Sequence, residues 1–177
     1  DYMVKMINNG YIGGPYAKYI RTAFLKNNKI LFRDWMNSGE DIVFNLDILK
    51  NKPRIQYVDV CTYRYYIDPQ TWINRYIKDP QKTIKSYFEV HNSYRILLQG
   101  EFTSITDTAD LVKQVDVDFT KKLLRAAVSV KGINNIDGYA ILREEISKLF
   151  NSELYDEMNL FCKLALSSIK VNSIIIY

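Results

Sequence analysis

An α/β front followed by a helical back is the fold class that this 177-residue sequence predicts, and three observations carry it. The run from Ile55 to Tyr66 is dense in Val, Ile, Thr and Tyr, the residues that a pleated surface favours. Ahead of it lie short apolar runs and helical patterns separated by turn-rich breaks. Behind it, from Asp79-Pro80 onward, helical spacing of apolar residues takes over.

Taken in order, Asp1 to Asn9 reads as the tail of a helix that Asn8-Asn9-Gly10 would stop. Gly13-Gly14-Pro15 is a second break. Tyr16 to Asn27 then places Ala17, Ile20, Ala23 and Phe24 at helical spacing, and Asn27-Asn28 ends it. Ile30-Leu31-Phe32 is a short buried strand or extended piece. Trp35 to Gly39 is a loop, and Asp41 to Leu49 returns to helix through Ile42, Phe44, Leu46 and Leu49. After Asn51-Lys52-Pro53 comes the strand Ile55 to Tyr66, which Asp68-Pro69 closes. Three or four amphipathic helices follow, over Gln81 to Leu98, Asp118 to Val130, Gly138 to Phe150 and Glu153 to Ile169. The polar, Thr-rich stretch from Gly100 to Asp110 reads as a linker. These elements suggest a division at residue 78, with a mixed front of residues 1–78 and a helical region of 79–177.

The composition is 47% hydrophobic and 25% charged, so a disordered chain is not expected. A single histidine argues against a His-rich metal site and against a Ser-His-Asp enzyme. Cys61 and Cys162 lie far apart in apolar surroundings, as buried free thiols of a reducing compartment do. Asp1-Tyr2-Met3-Val4 lacks the basic start and apolar stretch of a signal peptide. No apolar run approaches the ~20 residues that span a bilayer. The net charge of +4 resides in the first 80 residues, which also hold nine of the 14 tyrosines. Basic side chains interleaved with Tyr suit an anionic ligand, a diphosphate or a nucleic acid, and a surplus this small also suits plain solvated surface.

Gly13 to Leu49 reads GGPYAKYIRTAFLKNNKILFRDWMNSGEDIVFNLDIL. This stretch resembles the acceptor-side segment of inverting family-2 glycosyltransferases. A Gly, an aromatic residue and a Lys open a helix, an "I-x-F" strand follows, and Gly39-Glu40-Asp41 starts a helix of the form "ED-x-x-F-N". Tyr63-Arg64-Tyr65 is similar to the family's tyrosine-rich strand. The resemblance covers roughly the first 70 residues. It implies the C-terminal portion of a GT-A-like nucleotide-sugar transferase fold, followed by a helical extension.

The resemblance assigns Asp41 as the base that deprotonates an acceptor hydroxyl, with Glu40 beside it orienting the loop or contacting the acceptor. A carboxylate suits that task because a sugar hydroxyl is a poor nucleophile until its proton is taken. A helix N-terminus also favours the ionised carboxylate. Lys18 would stand near the donor diphosphate or brace the Gly39–Asp41 loop, or else be a solvated lysine. Trp35 would stack on a sugar ring or fill the core. Arg64 would pair with phosphate, with Asp41, or with a structural neighbour across strands.

The same resemblance implies a nucleotide-sugar donor, a glycan or glycolipid acceptor, and Mg²⁺ or Mn²⁺. The donor and metal would be held by an N-terminal half outside this chain, so the chain itself would be inactive. Asp116-Val117-Asp118 has the letters of an Asp-x-Asp metal motif, but it follows the Glu-Asp pair and directly precedes a helical pattern. An N-cap is its simpler job. The processive Gln-x-x-Arg-Trp signature is missing. A bacterial surface-polysaccharide enzyme in the cytoplasm, or at the inner face of the membrane, is the setting implied. Nucleic acid is not an expected partner, whereas peripheral membrane association and homo-oligomerisation stay open. The competing expectation is a mainly helical, non-catalytic interaction module whose amphipathic faces bind a partner or a membrane surface.

Overall fold

The computed structural model describes residues 12–60, 63–64, 66, 79–101, 108–132 and 136–170. These residues form helices only: α1 (Thr22–Asn27), α2 (Glu40–Lys50), α3 (Pro80–Glu101), α4 (Thr108–Gly132), α5 (Ile136–Leu149), α6 (Glu153–Glu157) and α7 (Leu160–Lys170). No strand occurs among them. The expected α/β front, and with it the GT-A-like fragment, is overturned. A strand is stable only when a neighbour completes its ladder, and neither candidate has one among the described residues, which leave out 61, 62 and 65 of the expected Ile55–Tyr66 strand. Leu31 and Phe32 are exposed in irregular backbone, and every residue from Arg54 to Val60 is exposed.

The helical back half forms for the reasons its pattern suggests. Pro80 occupies the first helical position of α3, where its missing N–H costs nothing. Asp79 just ahead of it caps the helix, its Oδ1 accepting the Lys82 N–H at 2.9 Å. In α4, Leu111, Val115, Phe119, Leu123 and Ala127 recur every fourth residue and are all buried. Phe119, Leu123 and Ala127 of that stripe meet Ile84 and Tyr87 of α3, Leu142, Ile146 and Leu149 of α5, and Cys162, Leu166 and Ile169 of α7, while Leu111 and Val115 meet Leu98 of α3. The result is one continuous core in which α3 packs on α4 and α5, and α7 packs on α4 and α5. No helix among the described residues is long and apolar enough to cross a membrane.

The front is anchored to this core through α2, which packs along α3. Leu46 and Leu49 of α2 meet Leu97 of α3 and Ile12, while Val43 meets Val90 and Met36. Arg33 bridges Asp47 of α2 at 2.5 Å and Glu89 of α3 at 3.3 Å. Asn37 donates to Thr83 Oγ1 at 2.9 Å, and its amide N–H reaches Ser86 Oγ at 3.3 Å. The loop before α2 is therefore stapled to α3 at several points.

Helix boundaries differ from the sequence reading where side chains override the local pattern. The helix expected over Tyr16–Asn27 shrinks to α1, because left-handed Gly14 (φ 65°) and Ala17 (φ 56°) coil the chain ahead of it. α4 begins at Thr108, ten residues before the expected start, so Asp116 and Asp118 lie within the helix rather than at its cap. The expected Gly100–Asp110 linker is partly helix at both ends. The helix expected over Glu153–Ile169 is two, broken at Met158, whose extended backbone ends α6. Asn159 restarts it by accepting the Cys162 N–H at 2.9 Å. The readings of residues 1–9 and of Cys61 lie outside the described residues.

Candidate functional site

The first turn of α2 carries Glu40 and Asp41. Gly39 turns the chain into the helix with φ 75°, a left-handed value natural to glycine. A Cβ there would also lie 2.5 Å from Val90 Cγ2, so helix packing excludes a side chain as well. Both Asp41 oxygens are engaged by backbone. Oδ2 accepts the Gly14 N–H at 3.1 Å and Oδ1 accepts the Ile42 N–H at 2.8 Å. One turn further on, buried Asn45 donates from Nδ2 to the carbonyls of Ile12 at 2.6 Å and Gly14 at 2.9 Å. Lys18 Nζ donates to Gly14 O at 2.6 Å and to Gly13 O at 3.4 Å.

Asp41, Asn45 and Lys18 thus grip one turn, residues 12–18, from three sides. Burial lowers the Lys18 pKa, and the Asp41 carboxylate opposes that shift. Glu40 Oε2 is buried with no hydrogen-bond partner. Trp35, 43% exposed, takes no part in these bonds. Arg64 is exposed and takes no part either. The structure therefore brings together Asp41 and Lys18 of the five residues singled out in the sequence, keeps Glu40 alongside, and leaves Trp35 and Arg64 apart.

The Asp41 charge is also felt by the neighbouring helices. Burial, then Asp118 and Asp41, push the Tyr94 hydroxyl of α3 up to about 12. Lys122 of α4 is held below the usual lysine range by burial, against the pull of Asp118 and Asp41. Its ammonium lies 5.9 Å from the centre of the Tyr87 ring. No group of three or more His, Cys, Asp or Glu among the described residues could hold a metal ion.

No family model, no curated protein and no solved structure matches this chain. With the α/β fold overturned and no relative matched, the roles that the resemblance implied for Asp41, Glu40, Lys18, Trp35 and Arg64 have no further support. The same holds for the nucleotide sugar and the Mg²⁺ or Mn²⁺. What Asp41 visibly does is cap a turn.

A second polar cluster was not singled out in the sequence. His91 Nε2 lies 2.7 Å from Asp116 Oδ1, with both side chains almost fully buried. Arg95, one turn along α3 from His91, sits 3.4 Å from Asp116 Oδ2 and 2.7 Å from Glu157 Oε2 of α6. Phe119 packs on the imidazole with ring centres 4.4 Å apart. The only histidine of the chain therefore ties α3 to α4, and Arg95 extends the tie to α6. The available signal was helical spacing: His91 and Arg95 are four residues apart, and Asp116 falls on the apolar stripe of α4.

Proposed function

We propose that this chain is a mainly helical, non-catalytic interaction module that docks a protein partner through its irregular front. One observation carries the reading. The helical part leaves only Ile96 of α3 and Leu160, Phe161 and Leu164 of α7 exposed among its described large apolar residues, whereas the front leaves more of them, including Tyr19, Leu31, Phe32, Trp35, Ile55 and Tyr57, between 43 and 91% exposed. Single exposed apolar residues are ordinary, but a concentration of large ones in one region marks an interaction surface. Trp and Tyr in particular are enriched among the few residues that carry most of the binding energy at protein interfaces. The parts of the front around Gly14, Arg33 and Asn37 are also held to α2 and α3 by hydrogen bonds and an ion pair. A surface held in place loses little entropy on docking.

Photo-crosslinking tests this reading. A benzoylphenylalanine in place of Leu31, in the full chain within its source cells, is expected to capture one defined protein. The same group in place of Lys113, exposed on α4, is expected not to. The purified pair should then bind, and Trp35→Ala should weaken binding at least tenfold. Equal, diffuse labelling from both positions would sink the proposal.

A further inference from the structure

Charge is spread unevenly over the two parts of the molecule. Among residues 12–53, Arg21, Lys26, Lys29, Lys50 and Lys52 are exposed, and Asp34 is the only exposed carboxylate. Glu40, Asp41 and Asp47 are half-buried, and Asp47 is already held by Arg33. In the helical part, exposed carboxylates face cations of their own surface. Asp118 lies 3.7 Å from Lys121, Glu144 lies 3.2 Å from Lys148, and Glu157 lies 2.7 Å from Arg95. Arg21, Lys26, Lys29 and Lys50 have no such partner among the described residues.

These cations border apolar surface. Leu31 is 74% exposed and Phe32 49%. Phe32 lies flat on buried Phe44 of α2, with ring centres 4.1 Å apart, so its inner face is supported and the rest is open to a ligand. Lys29 stands two residues before Leu31. Arg33, next after Phe32, bridges to Asp47, and Lys50 follows Asp47 by three residues on the same side of α2. Positive charge therefore reaches the Leu31–Phe32 surface from two elements. Lys29 takes its place against local preference, in the left-handed position just past the end of α1 (φ 53°). Glycine or asparagine fills that position at less cost, and Asn27 and Asn28 stand directly before it.

We propose that the protein segment docking on this front is acidic. Its apolar side chains cover Leu31 and Phe32, and its carboxylates meet Lys26, Lys29 and Lys50. The inference rests on reading the front as a protein-docking surface and adds the chemistry of what docks there. In such an interface the desolvated apolar centre carries most of the affinity. Complementary charge at the rim speeds encounter and rejects like-charged partners. Two features favour a polypeptide over a nucleic acid. Leu31, the more exposed of the two anchors, is aliphatic and offers a base no ring to stack on. Arg33 is engaged by Asp47 and Glu89 and exposed Asp34 adjoins it, so a phosphate backbone would meet three carboxylates there.

Panning a display library of random peptides on the full chain tests the proposal. The enriched peptides are expected to carry more Asp and Glu than Lys and Arg, together with Leu, Phe or Trp. The most enriched peptide, labelled with fluorescein, is then followed by anisotropy. Its binding should weaken at least ~tenfold between ~0.1 and ~1 M salt, because the Debye length falls from ~10 to ~3 Å. Lys29→Glu should weaken it at least ~fivefold, as reversal of a rim charge puts like charges face to face. Lys29→Gly relieves the left-handed backbone, so binding should fall while the fold becomes no less stable to urea. Lys113→Glu, on α4, should leave binding unchanged.

Enrichment of neutral or basic peptides, or of none, would overturn the proposal. So would an acidic peptide whose binding is indifferent to salt, to Lys29→Glu or to Leu31→Asp. Polyuridylate binding more tightly than any selected peptide, and weakened by Lys29→Glu, would assign the surface to nucleic acid and overturn it too. The docking reading itself stands or falls separately, on the crosslinker at Leu31. A defined protein captured there alongside neutral selected peptides would defeat the acidic partner alone.

Discussion

At the scale of single residues, Asp41 shows how a carboxylate at a helix start can serve structure. Both of its oxygens accept backbone N–H groups, one from the helix and one from the turn at Gly14. Tyr94 offers a direct test of the electrostatics around it. Burial, helped by Asp118 and Asp41, keeps its hydroxyl protonated up to about 12 in the folded chain, against about 10 when unfolded. Above pH 10 the unfolded chain loses this proton first, so stability falls as pH rises to about 12 and is flat beyond. The loss is at most about 2.7 kcal/mol for this group. Tyr94→Phe should remove that part of the alkaline loss in urea titrations at pH 9 to 12. Lys122 acts in the opposite sense, because its lowered pKa means the folded chain gains stability as pH rises toward the ordinary lysine value. An alkaline limb unchanged by Tyr94→Phe would show that the hydroxyl is not buried as described.

Elements show where backbone geometry and packing act together. Gly39 caps the start of α2 in a left-handed conformation, where an added Cβ would lie 2.5 Å from Val90 Cγ2. Gly39→Ala is expected to cost ~1–3 kcal/mol in chemical denaturation, from the strained backbone and the clash. Val90→Ala added to it should recover only the clash, since φ remains positive. Additive losses in the double variant would mean that the two residues do not touch. Helix α7 presents two apolar faces of unequal standing. Leu166 is fully buried, whereas Leu164 is 61% exposed. Leu166→Ala should cost ~2–5 kcal/mol, and Leu164→Ala should stay within ~0.5 kcal/mol. Equal losses would show that something covers the outer face as well.

For the molecule as a whole, the buried His91–Asp116–Arg95–Glu157 chain ties α3, α4 and α6 across the core. Removing its centre leaves His91 without its acceptor in a place with little water and leaves Arg95 with Glu157 alone. Asp116→Ala is therefore expected to cost ~3–5 kcal/mol, measured as a shift of the urea midpoint. A loss below ~1 kcal/mol would show that water reaches the pair and screens it. The same network explains a difference between reading and structure. The sequence predicts Asp116 at a helix cap because it directly precedes an amphipathic pattern. In the fold its partner lies 25 residues away on another helix, and no local pattern reports that distance.

Local order was legible in the sequence wherever neighbours along the chain decide it. The helical character of the stretches in α2, α3, α5 and α7, the Asp79-Pro80 start, and most of the buried stripe of α4 follow from spacing and capping, which act over four or five residues. The reach of α4 back to Thr108, the break at Met158 and the shortening of α1 do not. Each depends on tertiary contacts or on left-handed residues. Whether Ile30–Phe32 and residues 54–60 become strands was also beyond the sequence. β propensity describes a willingness to pair, and a ladder exists only if a second strand arrives. Within the described residues none does, so the same Val, Ile and Tyr side chains that promised a sheet stand exposed. Asp41 and Lys18 stand out in the sequence only through a resemblance that the fold overturns, and their common task of gripping the Gly13-Gly14 turn is decided by the packing of residues 12–18 on α2. The helices are set by local spacing, whereas the exposed front is set by which strand partners the fold supplies.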